Sequence, residues 1–262
     1  MNVNFIFILT ALTFISGIIY LVDVLVWKKQ RAANEKQPKL IEYARSFFPV
    51  FIIVLVIRSF VGQIFHVPTG SLEPTIAAGD FIIVTQYNYG LHFPVFNKVV
   101  IPTGKPKRGD IVVFHWPVNP KVDYIKRLIG LPGDHISYIN RTLYINGKKM
   151  TQTFEHYASN TDGANSPSWP MKVMQENLNG VKHGIYICAD ENNCPVKAKN
   201  FYNMVVPKGE YFFMGDNRDN SEDGRSWGFV TPDEFVGKGQ IVLFSWNAIT
   251  GSPRWNRIGT LI

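Results

Sequence analysis

The sequence predicts a mainly β protein: an antiparallel β-sheet domain with a smaller inserted β subdomain, anchored by two N-terminal transmembrane helices. Three observations predict this class. The first 66 residues contain two long apolar stretches. After them, short runs of β-branched and aromatic residues alternate with Gly, Pro and Asn, and no long helical period occurs. Residues 149–200 differ from both parts because they are rich in Asn, Ser and Thr and have few apolar runs.

The first apolar stretch, residues 3–22, contains no charged side chain. Its length matches the roughly 20 helical residues that cross a bilayer core of about 30 Å. A cleaved signal peptide is the alternative, but such a peptide begins with basic residues, and Met1-Asn2-Val3-Asn4 contains neither Lys nor Arg. Residues 3–22 are therefore predicted to form an uncleaved transmembrane helix.

A polar segment with several Lys and Arg residues occupies positions 23–45, and residues 46–65 are again apolar apart from Arg58. Basic residues in short loops stay on the cytoplasmic side of a membrane. We therefore expect a cytoplasmic loop at 23–45, a second transmembrane helix at 46–65, and the rest of the chain outside. Arg58 lies near enough to the outer end of that helix for its side chain to reach the interface. A buried core helix of a soluble domain is the alternative for residues 46–65, and the paired apolar segments disfavour it.

Composition and charge limit the class further. The chain has 262 residues, 46% hydrophobic and 18% charged, which excludes a wholly disordered protein. Residues 1–66 carry seven basic and three acidic groups, which leaves 27 − 7 = 20 basic and 20 − 3 = 17 acidic groups in the remainder. Since that remainder is nearly balanced, we expect membrane lipid rather than nucleic acid as a partner.

The two cysteines, Cys188 and Cys194, close a short Asn-rich loop on the predicted outer side. Two thiols in an oxidising compartment favour a disulfide. Metal binding is the alternative, but no His or third thiol lies close by in the sequence.

The exterior part is divided into a main β domain, residues 66–148 and 201–262, and an inserted subdomain, residues 149–200. The dipeptide Asn146-Gly147 predicts a tight turn. Four runs typical of strands are Phe81–Val84, Ile111–Phe114, Thr142–Ile145 and Ile241–Phe244.

The first chemical candidate is Ser71, which lies directly after the second apolar stretch, in Val67-Pro68-Thr69-Gly70-Ser71-Leu72-Glu73-Pro74-Thr75. Proline restricts φ on both sides of Gly70-Ser71, and glycine permits a tight backbone. A serine in such a turn can be displayed with its own N–H and a nearby hydroxyl pointing the same way. An ordinary turn serine is the commoner alternative.

The second candidate is Lys126. If residues 122–128 form a strand, Lys126 is the only charge on the apolar face that it shares with Tyr124, while Asp123 and Arg127 point to the other face. A lysine placed in this way either extends into solvent or loses its proton, and a neutral amine can accept one. A surface lysine is the alternative.

The third candidate is the polar segment 214–228, Met-Gly-Asp-Asn-Arg-Asp-Asn-Ser-Glu-Asp-Gly-Arg-Ser-Trp-Gly. Its stretch Asp219-x-Ser221-x-Asp223-Gly224 resembles the start of a calcium loop, but Val230 stands where a bidentate Glu is needed. We therefore expect no metal here, and a hydrogen-bonded loop that supports a site.

Sequence patterns of other hydrolases are absent. Ser71 is not part of a G-x-S-x-G motif, and Pro74 occupies the lysine position of an S-x-x-K motif. No H-E-x-x-H or Walker A sequence occurs, and the six histidines fit no triad signature.

These three segments, together with Arg-Gly-Asp-Ile-Val-Val-Phe at 108–114, closely resemble the bacterial type I signal peptidases (leader peptidases) in content and order. The resemblance covers the whole layout, including both membrane helices. It implies a membrane-bound Ser–Lys dyad serine endopeptidase that cleaves signal peptides from exported pre-proteins after an Ala-x-Ala-like site. It further implies a multi-pass protein of the bacterial inner membrane with its catalytic domain on the outer side. Signal peptides and, indirectly, the secretion machinery are the implied partners, and no cofactor is implied.

The resemblance also implies residue roles. Ser71 falls at the nucleophile and Lys126 at the general base. Thr69 falls where a hydroxyl completes the oxyanion hole together with the Ser71 N–H. Ser221 falls where a hydroxyl orients the lysine amine.

Two further positions, Asp223 and Arg225, match a supporting ion pair of the family. The chain departs from the family pattern at Leu72, where Met is usual, and at Gly224, where a small hydroxyl residue is common. An extended substrate is expected to add as a strand to an exposed sheet edge. The residues expected to line its shallow pockets are Phe65, Val67, Leu72, Tyr124 and Ile125.

Two alternatives of other classes are considered. The first is a catalytically inactive, membrane-tethered β binding module in which Ser71 is only a turn residue. The second is a self-cleaving Ser–Lys repressor, which would need a DNA-binding segment where residues 1–66 place membrane spans.

Overall fold

The computed structural model describes residues 3–31, 37–57, 62–92, 99–101, 103–159, 170–190 and 200–262. The chain divides into two compact units. The first comprises Met1–Gly62 and Gly90–Pro102, and the second comprises Gln63–Tyr89 and Thr103–Ile262.

The first unit contains the N-terminal helices and a two-stranded sheet of β3 (Leu91–His92) and β4 (Val99–Ile101). Helix α1 (Val3–Val22) continues through a π-helical turn (Asp23–Trp27) into α2 (Lys28–Gln30), and α3 spans Lys39–Val56. The stretch Phe7–Gln30 contains an 18-residue window with a mean hydropathy of 2.2 and is long and apolar enough to cross a membrane. Among the described residues α3 does not pass the same test.

The first helix, α1, has the predicted bounds, and the helical path continues beyond Val22 through the π-helical turn and α2. The boundary of the second apolar segment differs from the predicted one. The predicted second helix reached Phe65, whereas Gln63–His66 forms strand β1, whose backbone pairs with β2 (Asp80–Thr85). Arg58 lies outside the described residues.

The main sheet of the second unit is antiparallel throughout and confirms the predicted mainly β class. Its strand order is β1-β2-β16-β5-β6-β14-β15, and β17 pairs with β16. Each of the predicted runs at 81–84, 111–114 and 241–244 lies within one of its strands. The remaining strands are β5 (Ile111–Trp116), β6 (Asn119–Gly130), β14 (Tyr211–Met214), β15 (Phe229–Val230), β16 (Phe235–Asn247) and β17 (Ser252–Pro253). The described part of the same unit also contains the short helix α4 (Gly224–Trp227) and the 3-10 turns Pro232–Glu234 and Trp255–Arg257.

Two smaller sheets are formed by the chain between β6 and β14. The first has the order β13-β7-β8-β9, and the predicted turn at Asn146-Gly147 joins β8 to β9 with positive φ at both residues. The second, β10-β11-β12, is called the inserted sheet below because its strands fall within residues 149–200. The strands are β7 (His135–Ile139), β8 (Thr142–Ile145), β9 (Lys148–Lys149), β10 (Thr151–Ser159), β11 (Pro170–Leu178), β12 (Val181–Cys188) and β13 (Phe201–Val205).

The predicted disulfide involves the end of the inserted sheet. Cys188 is the last residue of β12 and is buried. Cys194 lies outside the described residues, so the pairing stays a prediction.

Candidate active site

Ser71 lies in the turn that connects β1 to β2. Leu72 and Ile76 are four positions apart and are both fully buried. They pack in an apolar cluster of the main sheet and so anchor this turn. Gly70 leaves room beside the serine for the Glu73 side chain, because a Cβ there would lie 2.6 Å from the carboxylate of Glu73 and that side chain would have to shift. The result is a buried serine held by a turn that is itself part of the core.

Lys126 reaches the same place from β6. It pairs with Val112 of β5 and is 4% exposed, so the predicted apolar environment surrounds it. Its Nζ lies 2.6 Å from the Oγ of Ser71, which is within hydrogen-bond distance. The two residues that stood out separately in the sequence therefore contact each other.

Burial changes the acid–base behaviour of Lys126. Loss of hydration lowers the pKa of its amine from 10.5 to about 8. The carboxylates of Asp223, Glu222 and Asp216 act in the opposite direction, since they favour the ammonium form. The net effect is an amine that can be neutral near physiological pH and can accept the proton of a neighbouring hydroxyl.

Asp223 and Arg225 form the ion pair that the sequence suggested. The Nε of Arg225 donates to one carboxylate oxygen at 2.8 Å, and Nη2 donates to the other at 2.8 Å. Burial alone would raise the pKa of the Asp223 carboxyl, but Arg225, together with the Gly215 N–H and Ser221, outweighs burial and lowers it. Asp223 also accepts a hydrogen bond from the backbone N–H of Gly215 at 2.9 Å, so the pair ties two parts of the polar segment together.

Ser221 does not make the predicted hydrogen bond to Lys126. Its side chain packs against Gly215 instead: a Cβ on Gly215 would lie 2.2 Å from the Ser221 Oγ and 2.5 Å from the Ser71 carbonyl oxygen. Among the described residues its buried hydroxyl has no hydrogen bond of normal geometry, although it lies near enough to Asp223 to help lower the pKa of that carboxyl. Ser221 therefore lies beside the Ser71 backbone and makes no hydrogen bond to the amine.

A second buried ion pair, between Arg127 and Asp216, was missed in the sequence. The Nε and Nη2 of Arg127 donate to the two Asp216 oxygens at 2.7 Å each, and Thr75 Oγ1 donates to Asp216 at 2.6 Å. Alternation along β6 correctly placed Arg127 on the face opposite Lys126, but nothing local indicated that a carboxylate would bury it there. The pair connects the Ser71 turn, β6 and the polar segment.

An aromatic group with one carboxylate lies next to the amine. Lys126 Nζ is 5.2 Å from the centre of the Tyr124 ring, and that ring stacks on Trp116 at 5.0 Å. The Tyr124 hydroxyl donates to Glu222 at 3.2 Å. Glu222 is exposed and is one of the charges that act on Lys126. It was not singled out in the sequence because charged residues surround it.

The remaining predicted site residues differ in how far their side chains are exposed to solvent. Thr69 is exposed, two positions before Ser71. Phe65 and Ile125 are partly buried against the apolar cluster. Val67 and Leu72, in contrast, are 2% and 0% exposed and belong to the core. Their expected place in the lining of the substrate pockets stays a prediction, because a buried side chain can still form a pocket wall.

No set of three His, Cys, Asp or Glu side chains suited to hold a metal ion is found within the described ranges. The three aspartates of the polar segment are each paired with an arginine: Asp216 with Arg127, Asp219 with Arg141, and Asp223 with Arg225.

Comparison with known proteins shows which family this chain resembles in sequence. The family model described as "Signal peptidase, peptidase S26" matches residues 40–246. Signal peptidase I of Pseudomonas fluorescens is 36% identical over 293 aligned positions that cover 100% of both chains. Signal peptidase I of Pseudomonas aeruginosa is 35% identical, again over 100% of both chains. A crystal structure of a signal peptidase I from Enterococcus faecalis V583 is 32% identical, covers 51% of this chain and 96% of that one, and has a TM-score of 0.31.

Proposed function

This chain belongs to the signal peptidase family, peptidase S26, and we propose that it cleaves signal peptides from exported pre-proteins with Ser71 as nucleophile and Lys126 as general base. The observation that carries the assignment of roles is the 2.6 Å contact between the Lys126 amine and the Ser71 hydroxyl. A hydroxyl next to a dry amine of lowered pKa is the arrangement that an activated serine requires.

The first half of the reaction forms an acyl-enzyme. The neutral Lys126 amine takes the hydroxyl proton of Ser71 while Oγ attacks the scissile carbonyl carbon. Negative charge then develops on the carbonyl oxygen. The Ser71 N–H and the Thr69 hydroxyl are the groups that we assign to stabilise it, and such donors contribute about 2.7–4 kcal/mol each in a comparable site.

The second half of the reaction returns the enzyme to its starting state. The Lys126 ammonium gives its proton to the leaving amine, and the C–N bond breaks. A water molecule then attacks the ester carbonyl, and Lys126 accepts a proton from that water. The Lys126 ammonium passes this proton to the Ser71 oxygen as the ester bond breaks, which restores the hydroxyl. One buried amine serves both halves because its pKa lies close to the working pH.

Strand pairing supports a site for an extended substrate. Strand β6 pairs with β5 as far as residue 127, but with β14 only from Arg127 onward. The part of β6 that carries Tyr124 and Lys126 therefore has one edge without a partner strand among the described residues. We assign this edge to the substrate, which would add as a strand. Phe65 and Ile125 are assigned to the shallow pockets of an Ala-x-Ala site.

The membrane arrangement is also part of the proposal. The helix that includes Phe7–Gln30 anchors the chain, and helix α3 is assigned to a second crossing. The Lys and Arg residues between the two apolar stretches favour a cytoplasmic loop, which places the catalytic unit on the outer side of the bacterial inner membrane. This is the side on which signal peptides are exposed after export.

The test is cleavage of a purified pre-protein by the full chain in detergent, with the new N-terminus determined by mass spectrometry. We expect one cut after an Ala-x-Ala-like sequence and none by the Ser71→Ala variant. If wild-type protein binds the pre-protein without cutting it, the chain is a membrane-tethered binding module and the proposal is wrong.

A further inference from the structure

The inserted sheet is joined to the polar segment through main-chain hydrogen bonds. The N–H of Tyr186, in β12, donates to the Asp216 carbonyl at 3.0 Å, and the N–H of Arg218 donates to the Tyr186 carbonyl at 2.9 Å. Tyr186 and Asn217 form an isolated parallel bridge. Two residues further along β12, the N–H of Cys188 donates to the Asp219 carboxylate at 2.8 Å. Strand β12 thus acts as a short parallel partner for residues 216–219.

A buried ion pair strengthens the same junction. Glu176, in β11, accepts a hydrogen bond from Nη1 of Arg218 at 2.8 Å and another from Nη2. Glu176 is 0% exposed and Arg218 is 1% exposed. Burial alone would raise the pKa of the Glu176 carboxyl, but Arg218, together with His183 and Gln152, outweighs burial and lowers it. Removal of one partner of such a pair leaves an unpaired buried charge, which is costly.

The residue between these anchors reaches the nucleophile turn. Asn217 is fully buried, and its backbone N–H donates to the carbonyl of Ser71 at 3.1 Å. Its side-chain amide donates to the carbonyl of Gly70 at 3.2 Å. Two consecutive carbonyls of the Ser71 turn are therefore held by one residue, and the inserted sheet holds that residue on the other side.

We propose that the inserted sheet positions the nucleophile, with Asn217 as the positioning residue for Ser71 and the Glu176–Arg218 pair as the anchor that fixes Asn217. The inference rests on the proposed function, because it concerns the serine to which that function assigns the attack. Neither Asn217 nor Glu176 touches the reacting atoms. Both act through the backbone of the Ser71 turn.

The physical reason is the narrow tolerance of the attack. The Oγ of Ser71 must stay within hydrogen-bond distance of Lys126 and lie about 3–3.5 Å from the scissile carbon at once. Lys126 is fixed by β6, so any drift of the turn carries Oγ out of line. A displacement of about 1 Å can lower a rate by about 100-fold without weakening substrate binding.

The test uses two variants at different distances from Ser71. Asn217→Ala removes the hydrogen bond to Gly70, and we expect kcat to fall about 10–100-fold while KM stays within about threefold. Glu176→Gln is isosteric and unpairs Arg218, and we expect kcat to fall about 5–10-fold with KM again unchanged. Rates are expressed per active serine, counted with a covalent serine-directed reagent, so that unfolded protein does not enter the comparison.

The matched control is Glu155→Gln. Glu155 lies in the same inserted sheet and accepts a hydrogen bond from Gln175 at 3.3 Å, but it is exposed. The chemical change is identical, and we expect kcat within about twofold of wild type. If Glu176→Gln does not fold, Gln152→Ala replaces it, since Gln152 donates to Glu176 at 2.9 Å from a partly exposed position. A kcat lowered a few-fold is then the expected result.

A double-mutant cycle tests whether the two residues act on one path. If Glu176 acts through Asn217, the loss in kcat for the double variant is smaller than the product of the two single losses. Wild-type kcat per active serine in both Asn217→Ala and Glu176→Gln would overturn the proposal, and so would multiplicative losses. A wild-type protein that does not cleave pre-protein would instead contradict the proposed function, which the same assay reveals first.

Discussion

Lys126 Nζ and Ser71 Oγ lie 2.6 Å apart although the two residues are 55 positions apart in the chain, and both side chains are buried. The contact is possible because strands β1 and β2, which the Ser71 turn connects, belong to the same sheet as β6. Burial makes the amine a usable base, and the hydrogen bond directs it to one hydroxyl. The chemistry of the site depends on this relationship.

Removal of either member of the pair is expected to abolish processing. Ser71→Ala deletes the attacking oxygen, and Lys126→Met replaces the amine by an apolar group of similar length. We expect kcat to fall by about 10⁴-fold or more in both variants, because members of one catalytic unit fail together. Pre-protein cleavage followed by gel electrophoresis measures the loss.

Circular dichroism is the control for that experiment, since both variants should keep the β-sheet spectrum of the wild type. Full activity in Lys126→Met would show that another group is the base.

Activity is expected to rise with pH. The neutral amine is the active form, and the pKa of Lys126 in the folded protein is about 8. In the free enzyme, kcat/KM should therefore increase through an ionisation near pH 8 and level off above it.

The neighbouring charges provide a way to shift that profile. Asp223, Glu222 and Asp216 favour the ammonium, while Arg225 disfavours it. Of the three carboxylates Glu222 is the exposed one, so Glu222→Gln should move the midpoint to lower pH without unfolding the protein. A midpoint that stays in place or moves upward would contradict the assignment of this limb to Lys126.

Lys126→Met is also expected to stabilise the fold. A pKa lowered from 10.5 to about 8 means that the unfolded state binds the proton more tightly, and the difference corresponds to about 3 kcal/mol. This cost is fully present below pH 8 and decreases as the pH rises from 8 toward 10.5. The thermal midpoint of Lys126→Met should therefore exceed that of the wild type at pH 6.5, with a smaller difference at pH 10. An equal or larger difference at pH 10 would be inconsistent with a buried amine.

The Asp223–Arg225 pair is expected to be essential for stability. Asp223→Asn leaves the Arg225 guanidinium, 4% exposed, without its charged partner, and loss of one member of a buried pair costs about 3–5 kcal/mol. Urea unfolding followed by fluorescence measures the change.

The control for that prediction is Asp123→Asn, which makes the same substitution in a more exposed pair. Asp123 contacts His115 at 2.7 Å, and the side chains are 19% exposed at Asp123 and 34% exposed at His115. We expect a loss of about 1 kcal/mol or less there. Equal losses in the two variants would show that the pair at Asp223 is not distinguished by its burial.

Much of the site was predictable because it is encoded locally. Prolines and Gly70 around Ser71 indicated a displayed serine, and alternation along residues 122–128 put Lys126 on the buried face. The order of these segments carried the family resemblance. Asn217 and Arg127 were not predictable as site residues, since their partners are a backbone carbonyl and a carboxylate from distant parts of the chain.

One expectation failed for the same reason. Ser221 was expected to hydrogen-bond to the Lys126 amine, but its hydroxyl packs against Gly215 and makes no hydrogen bond of normal geometry among the described residues. Val67 and Leu72 belong to the buried apolar cluster of the main sheet, and their place in a substrate pocket stays a prediction.

By itself the sequence determined the features that depend on near neighbours: the length of the apolar N-terminal helix, the short strands, the Asn146-Gly147 turn and the residue types of the site. The tertiary structure alone decided how close Ser71 is to Lys126, which arginine each buried carboxylate holds, and how far burial lowers the pKa of the amine. These quantities depend on distance and on exclusion of water, and both arise only when segments far apart in the chain pack together.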